Sequence, residues 1–258
     1  MYNRIDSLAH MYIGRYIELD ADQSHSLRSD LESLKEWHRE DALADYLEVL
    51  AALESDLQHG ISPDTLTRWR AHIQKAWVDV RDRAMPTVIE IAASLTPEQV
   101  QELAENMEER NEDREKQFQR RDNEEYIEEI YEEFEERLSY WLGRLSSEQK
   151  QRLQAAAGQY ERLDKAWLEN RRAWQRQVIN ELGRQPGWEQ RLTRLLTDGV
   201  TYTNESHIKA GQNNDQVVNA AVADVLNMRT DKQNEKLIKK INEWKQNLRE
   251  FQAAVDTS

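Results

Sequence analysis

There is no cysteine in this chain. Disulfides, thiolate metal centres and a cysteine nucleophile are therefore excluded. Glycine and proline are scarce, at 8 and 4 in 258 residues, so tight turns are few and the elements should be long. A Gly-rich phosphate-cradling loop and a Gly-x-Ser-x-Gly elbow are both missing. No apolar run reaches the ~18 residues of a membrane-spanning helix. Positive charge is outnumbered, 35 Lys and Arg against 49 Asp and Glu. The resulting net charge of −14 would repel the phosphates that drive nucleic-acid binding, so nucleic acid is not an expected partner. The opening MYNRIDSL has neither the basic start nor the apolar core of a signal peptide.

What is abundant is charge and helical periodicity. Residues Leu43, Tyr46, Leu47, Leu50 and Leu57 have the spacing of one helix face. After HGISPD a second face follows: Leu66, Trp69, Ile73, Ala76, Trp77 and Val80. Pro86 should kink or split that helix near Met85. A third segment starts at Thr96, and one long helix is expected over about Gln99–Trp141. Its first half is polar all round, as in a helix that leaves the body or packs thinly. A fourth segment runs from Ser146 through Leu153, Tyr160 and Trp167 to Val178 and stops at GRQPG. A short helix at Trp188–Leu196 and a polar, weakly periodic stretch precede a helix resuming at Val218. The last segment, Leu237, Ile241, Trp244, Leu248, Phe251 and Val255, alternates steps of four and three.

One phrase recurs: LDADQSHSL at Leu19, LTPEQVQEL at Leu95, LSSEQKQRL at Leu145 and RTDKQNEKL at Arg229. Asp20, Thr96, Ser146 and Thr230 suit helix N-caps, each with a glutamine three positions on: Gln23, Gln99, Gln149 and Gln233. The side-chain oxygen of the cap accepts from a free backbone N–H, and the glutamine reaches back to the cap's own N–H. Pro97 favours the second helix start. Capping does not explain the leading Leu19, Leu95 and Leu145. Two parallel layouts, each a capped helix, a Gly/Pro turn and another capped helix, suggest one all-helical domain over 1–258 with two related halves, 1–144 and 145–258.

With its leading leucine the phrase resembles the LTxxQ motif of Spy- and CpxP-type periplasmic chaperones. That resemblance implies a helical, usually dimeric cradle that binds unfolded clients or stress regulators, and hence a homodimer. The opening segment is similar to an uncharacterised family of Gram-negative, proteobacterial lipoproteins of unknown function. The similarity is carried by Tyr2, Asp6, Tyr12, Tyr16, Leu19, Gln23, Trp37, His38 and Arg39, and by the later LTPEQ. It implies a signal peptide and a lipidated cysteine ahead of residue 1, and anchorage on the periplasmic side of an envelope membrane.

Among chemical candidates, Asp22–His25 and Asp56–His59 have Asp-x-x-His spacing, whereas helical di-metal sites use Glu-x-x-His. Both fit helix ends instead, so no metal and no cofactor are expected. The stretch EEYIEEIYEEFEE stacks Glu124, Glu128 and Glu132, and likewise Glu125 and Glu129, at i,i+4. It is either a solvated face or a surface for a basic client. Together with Trp37, His38 and Arg39 these glutamates form the candidate partner-binding set. Lys232, Lys236, Lys239, Lys240, Lys245 and Arg249 either pair with that face or meet anionic lipid. The expected fold is all-α, an elongated array of antiparallel helical hairpins. The expected role is non-catalytic: chaperone-like binding of unfolded or extended polypeptide, or scaffolding of one envelope complex.

Overall fold

A computed structural model describes residues 5–201 and 204–253. Tyr2 and Val255 lie outside that set, as does the side chain of Asp6. Every regular element among the described residues is helical, so the chain is all-α. The helices are α1 Ile5–Ile13, α2 Ala21–Trp37, α3 Leu43–His59, α4 Pro63–Ser94, α5 Pro97–Arg120, α6 Asn123–Leu142, α7 Ser147–Ala157, α8 Asp164–Glu181, α9 Trp188–Asp198, α10 Glu205–Asn227 and α11 Asp231–Ala253. A five-residue π-helical turn, His38–Ala42, joins α2 to α3. Of the kink or split expected at Pro86, the split does not occur: α4 is one helix with Pro86 inside it.

The single helix expected over Gln99–Trp141 is interrupted. Helix α5 ends at Arg120, and Asp122 adopts an extended conformation with ψ −171°. Its carboxylate accepts from the N–H groups of Glu124 and Glu125 at 2.8 and 2.9 Å, while Glu125 accepts from the Asp122 N–H at 3.1 Å. This local capping box offers the backbone an alternative to the helix ladder, and it wins. Arg162 donates to the freed carbonyl of Arg121 at 3.1 Å and to that of Asp122, which also accepts from the Tyr126 N–H, at 3.3 Å. The segment expected from Ser146 to Val178 is also two helices, parting after Ala157. There the loop backbone is held by a side chain. Asn214 accepts from the Glu161 N–H at 2.7 Å and donates to the Glu161 carbonyl at 2.8 Å. Asn227 treats Ile61 the same way after α3, at 2.9 and 2.7 Å. Both asparagines come from α10, which extends back into the weakly periodic stretch.

The chain forms two compact units, each assembled from three separated segments. The first takes Met1–Trp37, Val78–Arg120 and Asp164–Asn204. Its apolar core gathers Ile17, Ala92, Leu95, Val178, Leu182 and Leu192. Val100 and Leu103 at the start of α5 pack against this core, but beyond Met107 the helix is almost wholly polar and meets α8 through a polar seam. Asn111, fully buried, donates to Gln175 at 2.6 Å and accepts from Arg171 at 3.0 Å. Arg172 bridges Glu108 and Glu115 beside it. The pairing holds Glu108 below the usual carboxylate range and raises Arg172.

The second unit takes His38–Trp77, Arg121–Leu163 and Glu205–Ser258. Its core draws Leu50 and Leu57 from α3, Leu138 and Leu142 from α6, Leu153 from α7, Val225 from α10 and Leu237 and Ile241 from α11. Burying each such side chain contributes roughly 1.5–3 kcal/mol, and this apolar set holds the unit together. Lys245 on α11 is buried against Glu54 of α3, and Lys240 lies 3.8 Å over the Tyr140 ring of α6.

Candidate functional site

Four glutamines organise the two units. In the first, Asp20 and Gln23 satisfy each other's backbone N–H groups at 2.9 and 3.0 Å, and Thr96 and Gln99 do the same at 3.2 and 2.9 Å. The two glutamines then bond each other: Gln23 Nε2 donates to Gln99 Oε1 at 3.0 Å, and Gln99 Nε2 to Gln23 Oε1 at 2.7 Å. Each Nε2 also donates to a backbone carbonyl before the other helix, Gln23 to Ser94 and Gln99 to Glu18.

The second unit repeats this wiring. Ser146 with Gln149, and Thr230 with Gln233, form the capping pairs at 2.9–3.3 Å. Gln149 and Gln233 exchange amide bonds at 3.1 and 2.9 Å, and they donate onward to Val225 and Arg144. Three of the four acceptor carbonyls, Glu18, Ser94 and Arg144, stand two residues before a cap. The exception is Val225, ahead of the one copy that begins with Arg229 rather than leucine. Arg229 donates to the end carbonyls of α3 and α10, Leu57 and Leu226, and to Asn234. The leading leucines have a packing role: Leu95 and Leu145 are buried in the two cores, and Leu19 packs half-buried against the first.

These polar groups are consumed by one another. Gln149 is fully buried, and Gln23 and Gln233 are buried nearly as deeply. Gln99 is half-buried, and in both units the recurring phrase locks two helix starts together.

The acidic stretch divides by role. Glu125 belongs to the Asp122 cap and Glu129 pairs with Arg121. Glu133 pairs with Arg137. Tyr131 donates to Glu135, which also holds Lys150. That bond pushes the Tyr131 hydroxyl up to about 12, and Lys150 pulls Glu135 below the usual carboxylate range. Glu124, Glu128 and Glu132 stand exposed. Trp37 ends α2 with the Arg83 guanidinium 5.9 Å from its ring centroid. His38 lies 3.1 Å from the Tyr46 hydroxyl, and its burial lowers its pKa. Arg39 is half-buried in the same π-helical turn. Asp56 accepts from the Trp69 indole N–H at 2.8 Å, and His59 contacts the Ser55 carbonyl at 2.9 Å.

A cleft that the periodicity alone did not single out lies within the second unit. It has a volume of ≈ 370 Å³. Leu50, Leu53 and Leu57 of α3 form one wall and Leu66, Trp69 and Ile73 of α4 another. Phe134, Leu138 and Trp141 of α6 face them, with Val218 and Val222 of α10 and Leu237 and Ile241 of α11 closing the base. Arg137 is the charged residue in this lining. At its edge Ile73 is 62 % exposed, and Trp77, one turn on, is 67 % exposed. The signal was present in the sequence: Leu66, Trp69, Ile73 and Trp77 are one helical stripe. The pattern does not show that Ile73 and Trp77 stay exposed.

Residues 15–205 match a family described only as a family of unknown function, DUF6279. No curated protein and no solved structure matches the chain.

Proposed function

The chain belongs to the family of unknown function DUF6279, and from its geometry we propose that it is a non-catalytic binding protein whose second unit receives apolar segments of other polypeptides. The observation that carries this reading is the cleft. It is walled by leucine, tryptophan and phenylalanine and leaves Ile73 largely exposed at its edge. An apolar concavity of this kind is where a non-polar side chain gains most by leaving water. The same reading takes the protein to be a lipid-tethered envelope protein on the periplasmic side, in a chaperone-like or stress-related role. That part is supported by the likeness of its opening segment and of its LTxxQ-like phrases. The identical wiring of the Gln23–Gln99 and Gln149–Gln233 pairs supports reading the chain as two related halves.

The test is suppression of aggregation. Chemically unfolded clients diluted into buffer should scatter less light when the protein is present at comparable concentration, and Ile73→Asp should remove the effect while the circular dichroism stays unchanged. No suppression with any of several clients, or equal suppression by Ile73→Asp, overturns the reading. Anchorage is tested by fractionation and labelled-lipid incorporation of the full-length natural form. A second reading, scaffolding of one envelope complex, is favoured by the fixed charges around the cleft. Capture of a single stoichiometric partner by cross-linking in cells would decide for it.

A further inference from the structure

We propose that Arg110, Arg114 and Arg171, beside Tyr12 and Tyr16 in the first unit, form a binding site for a phosphate group carrying two negative charges. The site is separate from the cleft and does not depend on polypeptide binding. Arg110 and Arg114 stand at i,i+4 on α5, so they share one side of that helix. The Arg110 guanidinium lies 4.6 Å over the Tyr16 ring. Those of Arg114 and Arg171 lie 5.2 and 5.1 Å from the centroid of one shared ring, Trp167 on α8. Tyr12 packs on Tyr16 with centroids 5.7 Å apart and is 60 % exposed. Its bond to Tyr16 raises the Tyr12 hydroxyl above its ordinary value, while Arg171 and Arg110 each pull it down, so both guanidiniums are within electrostatic reach of it.

Arg172, next in the chain to Arg171, is neutralised by Glu108 and Glu115. Arg110, Arg114 and Arg171 are not: among the described residues no carboxylate pairs with any of them, in a chain that has 49 Asp and Glu. Arg110 donates to the Arg15 carbonyl at 3.1 Å, and Arg171 gives its Nε to Asn111 at 3.0 Å. A guanidinium has five N–H donors, so most of those on the three arginines remain for an acceptor. Stacking on an aromatic face steadies a guanidinium and leaves its N–H edge for acceptors beside the ring. Like charges gathered without a counter-charge repel, and an anion shared among them relieves that repulsion.

Guanidinium forks match carboxylate and phosphate oxygens alike, but three of them supply more charge and more donors than one carboxylate takes up. A phosphate monoester, with close to two charges and three acceptor oxygens, fits that supply. An extended polyanion would instead meet Glu105, Glu109 and Glu112, exposed on the same helix. The ligand is therefore a compact phosphate, free or on a lipid headgroup.

Calorimetric titration of the full chain at low salt uses inorganic phosphate, phenyl phosphate and benzoate. Phenyl phosphate should bind about tenfold or more tighter than benzoate, and inorganic phosphate should compete with it. Arg114 is exposed, so Arg114→Glu should lower phenyl phosphate affinity about tenfold or more with unchanged circular dichroism. Arg114→Lys keeps the cation over Trp167 but not the fork, so urea unfolding should stay as in the native protein while phosphate binding still weakens. Flotation with phosphatidylcholine vesicles, with and without phosphatidic acid, separates the two sources. Capture that needs phosphatidic acid and is lost in Arg114→Glu assigns a lipid headgroup, and phenyl phosphate binding without capture assigns a soluble ester. Benzoate binding as tightly as phenyl phosphate, undiminished binding by Arg114→Glu, or no binding of any phosphate probe overturns the inference.

Discussion

Gln149 and Gln233 bond each other through both amide atoms while each also caps its own helix, and Gln149 does so with no exposed surface. One side chain therefore closes a local turn and a contact between residues far apart in the chain. Removing it should do more than remove a cap. Gln149→Ala deletes the capping bond and leaves the buried amide of Gln233 short of a partner, so a loss of ~2–3 kcal/mol is expected. Gln99→Ala, in a less buried pair, should lose ~1 kcal/mol. Urea unfolding of the two variants measures both, and near-equal small losses would mean that the glutamine pair contributes only as two separate caps.

Coupling follows from the same bonds. In a double-mutant cycle, Gln149→Ala and Gln233→Ala should be non-additive by roughly 0.5–3 kcal/mol, whereas Gln149→Ala with Gln23→Ala, from the other unit, should add. Additivity within the Gln149–Gln233 pair would contradict the shared amide bonds.

Asn214 is buried and holds both backbone groups of Glu161. Asn214→Leu keeps the branched heavy-atom shape, is somewhat bulkier, and strands an N–H and a carbonyl, so it should destabilise by ~2–3 kcal/mol. Amide exchange at Glu161 should accelerate at the same time. Unchanged exchange there would show that the loop finds other partners.

His38 supplies a pH dependence. Burial lowers its pKa in the folded protein below the ordinary value of 6.5, so folding favours neutral imidazole. Between the folded and unfolded values the unfolded chain binds more protons, and stability rises with pH. The contribution is complete above the ordinary value and is lost as pH falls through it towards the folded one. Denaturation of the native protein and His38→Gln at about pH 7.5 and about pH 5 should show the native protein losing more stability on acidification. An identical pH response of the two proteins would rule out His38 as the cause.

The acidic helix separates residues that look alike in sequence. Replacing Glu124, Glu128 and Glu132 with glutamine should be neutral or stabilising by a few tenths of a kcal/mol, because each removes like-charge neighbours at i,i+4. Asp122→Ala should instead lose about 1 kcal/mol with its cap. Thermal unfolding ranks them, and a large loss from the exposed glutamates would assign them structural partners.

Helix starts were legible because their signals are local: a cap residue, a glutamine three places on, a proline at Pro97. The break at Asp122 carried the same kind of signal, Asp122 with Glu125, but the helical periodicity of Ile127, Ile130, Phe134, Leu138 and Trp141 fits an uninterrupted helix equally well. What could not be read was partnership over distance. Nothing in the spelling of Gln23 says that it meets Gln99 rather than Gln149, nor that Asn214 and Asn227 serve loops elsewhere in the chain. The cleft was half visible: its stripes are periodic, but periodicity reports a face and not whether a neighbour covers it. The polar α5 looked unsupported because its contact with α8 is made by Asn111, Gln175 and arginines, which hydrophobic patterning does not register.

The interleaved path of the chain bears on how it is made. When residue 144 has emerged from a ribosome, the first glutamine pair is complete. However, α8 and α9, which supply Val178, Leu182 and Leu192 to that core, are not yet synthesised. The second core waits longer still, because Leu237 and Ile241 come from the final helix. Neither unit is a stretch that can be finished early and set aside, and contacts of such sequence separation form late and slowly. Translation therefore leaves apolar stripes of both cores unsheltered until the last helices arrive, and a fragment ending near residue 144 should be captured by chaperones rather than fold.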